Sequence, residues 1–306
     1  MLPLESMRRA LQERGLTAAS VVPETRNLRE EEASVLPARL VEGNRLEAIP
    51  VELGGPGFDQ VAFLDGMQRS EIVAYSGTSP IVVAEVAAAV RERRQRRLRT
   101  VVEERRRIAL GRPAALEAAG AVLSGLQLVP LPVDGPPHPT RDLARAAERL
   151  DRYRGALEIS AGDRYRSQSD GWLVVDGSLS DSPRWAADQR MVGVCRSHSV
   201  LPFDGQDLER YLRLPASHRS SMYESRSRAF APVRAWALRL VPWEGWDLLH
   251  GLVRVEVAPA NGTPEWADRI SEWLLAERVP VSAPDRQWDR LLYGIHSVEQ
   301  FLRARL

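Results

Sequence analysis

Two apolar runs in this 306-residue sequence stop on the same dipeptide. In "VAFLDG" residues 61–64 lead into Asp65 and Gly66, and in "WLVVDG" residues 172–175 lead into Asp176 and Gly177. A carboxylate at a strand end projects into the crevice beyond the sheet, while the strand fixes its position. Paired carboxylates hold hard divalent cations, and two cations about 3.5–4 Å apart support hydrolysis of a phosphodiester. Asp-Gly after a strand is also an ordinary turn signal, so either dipeptide taken alone reads equally as a loop.

Two further groups fit the same chemistry. Glu158, in "GALEIS", is flanked by Leu157 and Ile159. An unpaired carboxylate in an inward-facing segment is costly, and a cation removes that cost; the alternative is a solvated helix end. His296, in "LLYGIHSVEQFL", lies in a C-terminal helix whose Leu292, Ile295 and Phe301 face inward. Its imidazole either reaches the crevice or packs as a satisfied core histidine. Together the four residues point to a metal site.

The elements that must position these groups follow from periodicity and punctuation. Residues 1–50 read as a helix, a Glu-rich polar stretch and an apolar-spaced segment, forming an N-terminal arm for a dimer or partner contact. Its apolar face has no evident place in the core. The Gly-Gly-Pro-Gly cluster at 54–57 opens the main domain, 51–306. "VAFLDG", "EIVAYSG" and "SPIVVAEV" read as three short strands of an antiparallel meander. A long helix then runs through nine arginines between Arg91 and Arg107. It is either a solvated face with intrahelical ion pairs or a wall that tracks phosphates. Helices around residues 114–126 and 140–160 flank a proline-rich loop. Strands at "GWLVVDGSL", "MVGVCRSHS", "VRAWALRLV" and "LLHGLVRVEVA" follow, and helices at about 264–276 and 286–305 close the chain. The fold class is α/β: a ribonuclease H-like mixed sheet flanked by helices, with helical insertions and a C-terminal helix.

Composition narrows the functions. With 44% hydrophobic and 27% charged residues the chain can bury a substantial core. Its net charge of +1 excludes a uniformly basic nucleic-acid glue. The sequence has no lysine, so its side-chain cations are arginines, suited to bidentate phosphate contacts; a GC-rich genome gives the same bias. Without lysine there is no Walker motif, and no G-x-G-x-x-G joins a strand to a helix. The single Cys195 excludes internal disulfides and cysteine-rich zinc sites. No apolar run reaches the roughly 18 residues of a membrane span, which places the chain by default in the cytoplasm.

"FLDG", "LEIS" followed by "WLVVDGSL", then "MVGVCRSHS" and the histidine-bearing helix resemble the motif order of the NurA nuclease family over about residues 58–306. "VVDGSL" followed by "VGVCRS" is the most specific part. The resemblance implies a manganese-dependent nuclease, with magnesium as the alternative ion. It would degrade DNA from 5′ to 3′, cut single strands, and work as a homodimer docked on a HerA-type hexameric ATPase. It assigns metal-binding and catalytic roles to Asp65, Glu158, Asp176 and His296. Arg196 stands where the family usually has lysine, and its cation would hold a phosphate. Trp288 stands near a usual tyrosine and keeps a stacking face for DNA. Arg69, Arg94 and Arg97 are the expected phosphate contacts. The rival reading is a catalytically weak subunit that clamps DNA or caps a motor.

Overall fold

The computed structural model describes residues 4–18, 34–36, 38–55, 57–95, 97–198, 200–225, 231–243, 248–278 and 290–305. Its centre is a hairpin pair of long strands: β1 (Val61–Ser76) turns at Gly77 into β2 (Ser79–Arg94), which turns again into β3 (Arg97–Gly111). After helix α2 (Pro113–Ala119), strand β4 (Gln127–Pro130) pairs parallel to β3. Helix α3 (Pro139–Arg166) then crosses the sheet and delivers β5 (Trp172–Val175) alongside β1 on its other side. After helix α4 (Pro183–Ala187), strand β6 (Met191–Cys195) adds parallel to β5, and helix α5 (Gly205–Leu212) follows. Strands β7 (Arg234–Arg239) and β8 (Leu252–Val257) extend the sheet antiparallel beyond it. The central order is therefore β8-β6-β5-β1-β2-β3, antiparallel on one side of β1 and parallel on the other, within a sheet of thirteen strands.

Alternation along β1 sorts its two faces. Ala62 and Leu64 belong to the cluster under α3, with Leu150, Leu157 and Ala161. Val61 and Phe63 belong to the cluster under α6 (Pro264–Glu277) and α7 (Tyr293–Arg303), with Ile270, Ile295 and Val298. Because successive side chains alternate, Asp65 points to the α7 side and Gly66 to the α3 side.

Three expectations change. "VAFLDG" and "EIVAYSG" are one strand, so Asp65 sits inside β1 and not at its end. Its neighbour Gly66 continues the ladder opposite Ala88. The arginine-rich stretch is not a helix but the β2–β3 hairpin. Ala, Arg and Glu favour helix locally. Here both sides of β2 are covered, however: Ala84 and Ala88 lie under α3, and Ala87 and Ala89 lie in the α6–α7 cluster. Small side chains on a strand buried on both faces outweigh propensity, and Gln95, at φ 50°, turns the chain back. Finally, the apolar face of the first helix, α1 (Leu4–Glu13), does have a place in the core. Leu11 is fully buried with Val73, Ile81 and Leu116, and Arg8 pairs with Glu71 at 3.0 Å.

Candidate metal centre

The parallel pair β1–β5 creates the site. Their register runs Val61 opposite Trp172 to Leu64 opposite Val175. There β5 ends while β1 continues, and the Asp176 amide still donates to the Leu64 carbonyl at 3.1 Å. Asp176 is thus held beside Asp65 at the lip where the sheet becomes narrower.

Two glycines shape that lip. Gly177 has φ +149°, a conformation that side chains strain, and its amide reaches the Val194 carbonyl on β6. A Cβ on Gly193 would lie 2.8 Å from the Gly177 carbonyl. The "DGSL" loop therefore folds directly onto β6, bringing "VVDGSL" and "VGVC" together in space. Glu256 of β8 locks the loop by accepting from the Ser178 hydroxyl at 2.8 Å and the Leu179 amide at 2.9 Å.

Helix α7 closes the site from one face. A Cβ on Gly294 would approach the Phe63 ring to 2.3 Å, so glycine is what lets α7 sit down on β1. Arg91 of β2 ties the helix further, donating to the Ser297 carbonyl at 2.9 Å and its hydroxyl at 2.7 Å. Ile295, Val298, Glu299 and Leu302 fall at helical spacing on the buried side. Glu299 is thereby carried to the aspartates.

Asp65, Asp176 and Glu299 each offer an oxygen, and these atoms all lie within 4.8 Å of one another. Oxygens bound to one cation at about 2.0–2.4 Å are at most about 4–5 Å apart, so the spacing fits a magnesium- or manganese-sized ion with little adjustment. Asp65 is 5% exposed, and its oxygen accepts from the Gly66 amide at 2.7 Å. Burial raises its pKa well above the ordinary carboxylate range, and repulsion from Asp176 adds to this, while Arg196 works the other way. A buried, mutually repelling carboxylate cluster of this kind is suited to binding a cation.

Arg196, just after β6, supplies the positive charge. Its Nε donates to Asp176 at 2.9 Å, a second N–H makes a short bond to the other Asp176 oxygen, and the same group reaches Glu299 at 2.9 Å. Burial disfavours the guanidinium's charge, but Asp176, Asp65 and Glu299 outweigh it and push its pKa up.

Of the residues singled out from sequence, Asp65 and Asp176 come together and Arg196 bridges to the second of them. Glu158 lies on the opposite face of β1, outside the group of oxygens within 4.8 Å of one another. Its carboxylate occupies the space over Gly66, where a Cβ would stand 2.1 Å from it, and Arg154 pairs with it one helical turn away. His296 flanks the triad: its Nδ1 is buried with no hydrogen-bond partner, 3.9 Å from Glu299. Arg69 is exposed on β1, about 13 Å along the strand from Asp65, and pairs with Glu71 at 3.3 Å. Arg94 and Arg97 face each other at the hairpin tip, about 17 Å from the Asp65 row. Trp288 lies outside the described residues. Sequence reasoning missed Glu299, although its position three residues after His296 and four after Ile295 places it on the buried stripe.

Burial raises the Glu158 carboxyl, and Asp176 adds to this against the opposing pull of Arg154; the group sits at about 7 instead of the ordinary 4.5. A raised folded-state pKa gives stability that is complete below 4.5 and lost as pH rises through about 7. Glu158→Gln should remove that dependence. Denaturant unfolding of both proteins across this window should show the wild type losing on the order of 3 kcal/mol relative to the variant. Parallel curves would show that Glu158 carries no such strain.

A central sheet ordered 3-2-1-5-6 about its first long strand, with carboxylates from two neighbouring strands and a C-terminal helix, is a ribonuclease H-like α/β fold with an acidic cluster at its lip. Among solved structures, that of the NurA nuclease from Sulfolobus solfataricus shares this fold. It matches with a TM-score of 0.54 and 10% identity, covering 83% of this chain and 82% of that one. Human endonuclease V aligns over 81% of this chain and 84% of its own at 13% identity, but its TM-score of 0.35 is too low to establish a common arrangement. No protein-family model matches the sequence, and no curated protein does.

Proposed function

We propose that this chain is a divalent-metal-dependent DNA nuclease. The observation that carries the reading is the triad of Asp65, Asp176 and Glu299, with oxygens within 4.8 Å of one another, on a fold shared with a nuclease. When bound, one or two divalent ions would polarise the phosphate and lower the pKa of water. Asp65 and Asp176 would hold that charge, since each is fixed by backbone on adjacent parallel strands. Glu299 and Glu158 would complete the ligand set from the two faces of β1. His296, whose buried Nδ1 has no hydrogen-bond partner, would accept or pass a proton beside the triad. Arg196 would exchange its carboxylate partners for a phosphate oxygen once cations neutralise the cluster. Oxygen ligands with one imidazole at the edge suit Mn²⁺, with Mg²⁺ as the alternative.

The family resemblance supports the finer features of the proposal: 5′ to 3′ degradation, cutting of single strands, a homodimer and a HerA-type hexameric ATPase as partner. A chain with no Walker lysine needs another protein to move DNA. The N-terminal arm, 1–50, is proposed as one of these contacts through surfaces other than the α1 face seated on the hairpin. The second reading, a DNA-clamping or motor-capping subunit without appreciable catalysis, gains from one observation. Arg196 already neutralises Asp176 and Glu299 as a cation would.

The test is degradation of end-labelled linear DNA, single- and double-stranded, with Mn²⁺, with Mg²⁺ and with chelator. Cleavage should appear with Mn²⁺ and vanish with chelator. Undiminished cleavage in chelator would overturn the metal mechanism.

A further inference from the structure

The opposite end of the same strands carries a feature that the carboxylate cluster does not use. Trp172 opens β5, about 13 Å along the strand from Asp176. Its ring lies 4.5 Å from Phe58 and 5.6 Å from Trp266 of α6. Trp273, 4% exposed, backs the group 4.5 Å from Phe58. The guanidinium of Arg269 stands over both Phe58, at 5.0 Å, and Trp266, at 5.3 Å. Phe58, Trp172, Trp266, Arg269 and Arg190 line an open cavity of about 660 Å³, whose other walls include the exposed Gln60 and Gln189 and the carboxylates Asp59 and Asp170.

An aromatic cluster that only sealed the sheet end would be buried. Here Phe58, Trp172 and Trp266 remain half-exposed around a cavity, while the fully packed ring, Trp273, is the one behind them. Among the described residues, the contacts of Arg269 are ring faces and not carboxylates. Stacking faces with an adjacent guanidinium and carboxamides able both to donate and to accept match an unpaired nucleobase. The hairpin tip turns at this end of the sheet, with Arg97 opposite an Arg94 that pairs with Glu92, and Arg93 joins it to the aromatic group through Glu277, which also accepts from the Trp273 indole.

We propose that this cavity is a stacking seat for a base of single-stranded nucleic acid, anchoring a strand remote from the carboxylate cluster. The inference deepens the nuclease reading and rests on it for the identity of the ligand.

The test uses the full chain with Asp65→Asn, so that bound DNA is not cut. The probe is a fluorescent oligothymidylate of roughly a dozen nucleotides, followed by anisotropy. Trp266→Ala and Arg269→Ala should each weaken binding about tenfold or more, and Trp266→Phe should restore most of it. Arg269 is exposed, so its variant answers the question even if Trp266→Ala folds poorly. Binding within twofold of the parent for Arg269→Ala overturns the proposal. So does equal binding of a duplex, and so does full competition by thymidine monophosphate, which would make the cavity a free-nucleotide site. Cleavage by the wild-type chain is scored separately. A wild type that binds the oligonucleotide through these residues but cuts nothing in Mn²⁺ overturns the nuclease reading and upholds the seat. One that cuts normally while the variants bind as tightly as the parent does the reverse.

Discussion

Replacing Asp65 or Asp176 by Asn should lower Mn²⁺-dependent DNA cleavage by roughly three orders of magnitude, with the fold intact. Each aspartate is placed by backbone, so no neighbour can move in to replace it. Asp65 lies within β1, paired with Ala89 of β2, and Asp176 is fixed by its own amide to Leu64. Removing the Asp65 charge also relieves the burial and repulsion that raise its pKa, so the metal-free variant should melt at least as high as the wild type. Single-turnover cleavage and thermal unfolding measured on the same preparations separate the two effects. Normal cleavage by both variants would remove the cluster from the chemistry, whatever their stability.

The unequal legibility of the site has physical causes. Asp176 was readable because β5 is short and ends where its apolar run ends. Asp65 draws notice because the apolar run stops at Leu64, although the strand itself runs on to Ser76. The β1–β2 ladder carries the mostly polar stretch 65–71 through the sheet. The arginine hairpin misled because its composition favours helix, and only the covering of β2 by α3 and α7 explains its extended state. Glu158 and His296 were attractive as isolated chemical types. Their distances to the aspartates depend on how close α3 and α7 approach β1, and Gly66 and Gly294 set that approach. Glu299 needed the helix phase as well: once Ile295, Val298 and Leu302 face inward, position 299 must too.

Arg196 separates the two readings of the cluster. With Arg196→Gln the metal-free protein retains Asp65, Asp176 and Glu299 as neighbours and loses the guanidinium that bridges two of them. Stripping one partner from a buried ion pair costs about 3–5 kcal/mol. Arg196 lowers the Asp65 pKa, so the stability it provides is present while the carboxylates are ionised and fades as pH falls and they protonate. The deficit of the variant should therefore be larger at neutral than at acid pH. If the site binds Mn²⁺, the ion restores the missing charge, and saturation at about 100 times the dissociation constant returns about 2.7 kcal/mol. The variant should then gain more from Mn²⁺ than the wild type, whose Arg196 must first be displaced. Thermal unfolding of both proteins over a Mn²⁺ titration, at neutral and at acid pH, measures this directly. A neutral-pH deficit that Mn²⁺ leaves untouched would mean that Arg196 is the permanent counter-ion of a structural cluster, and would favour the clamping subunit over the nuclease.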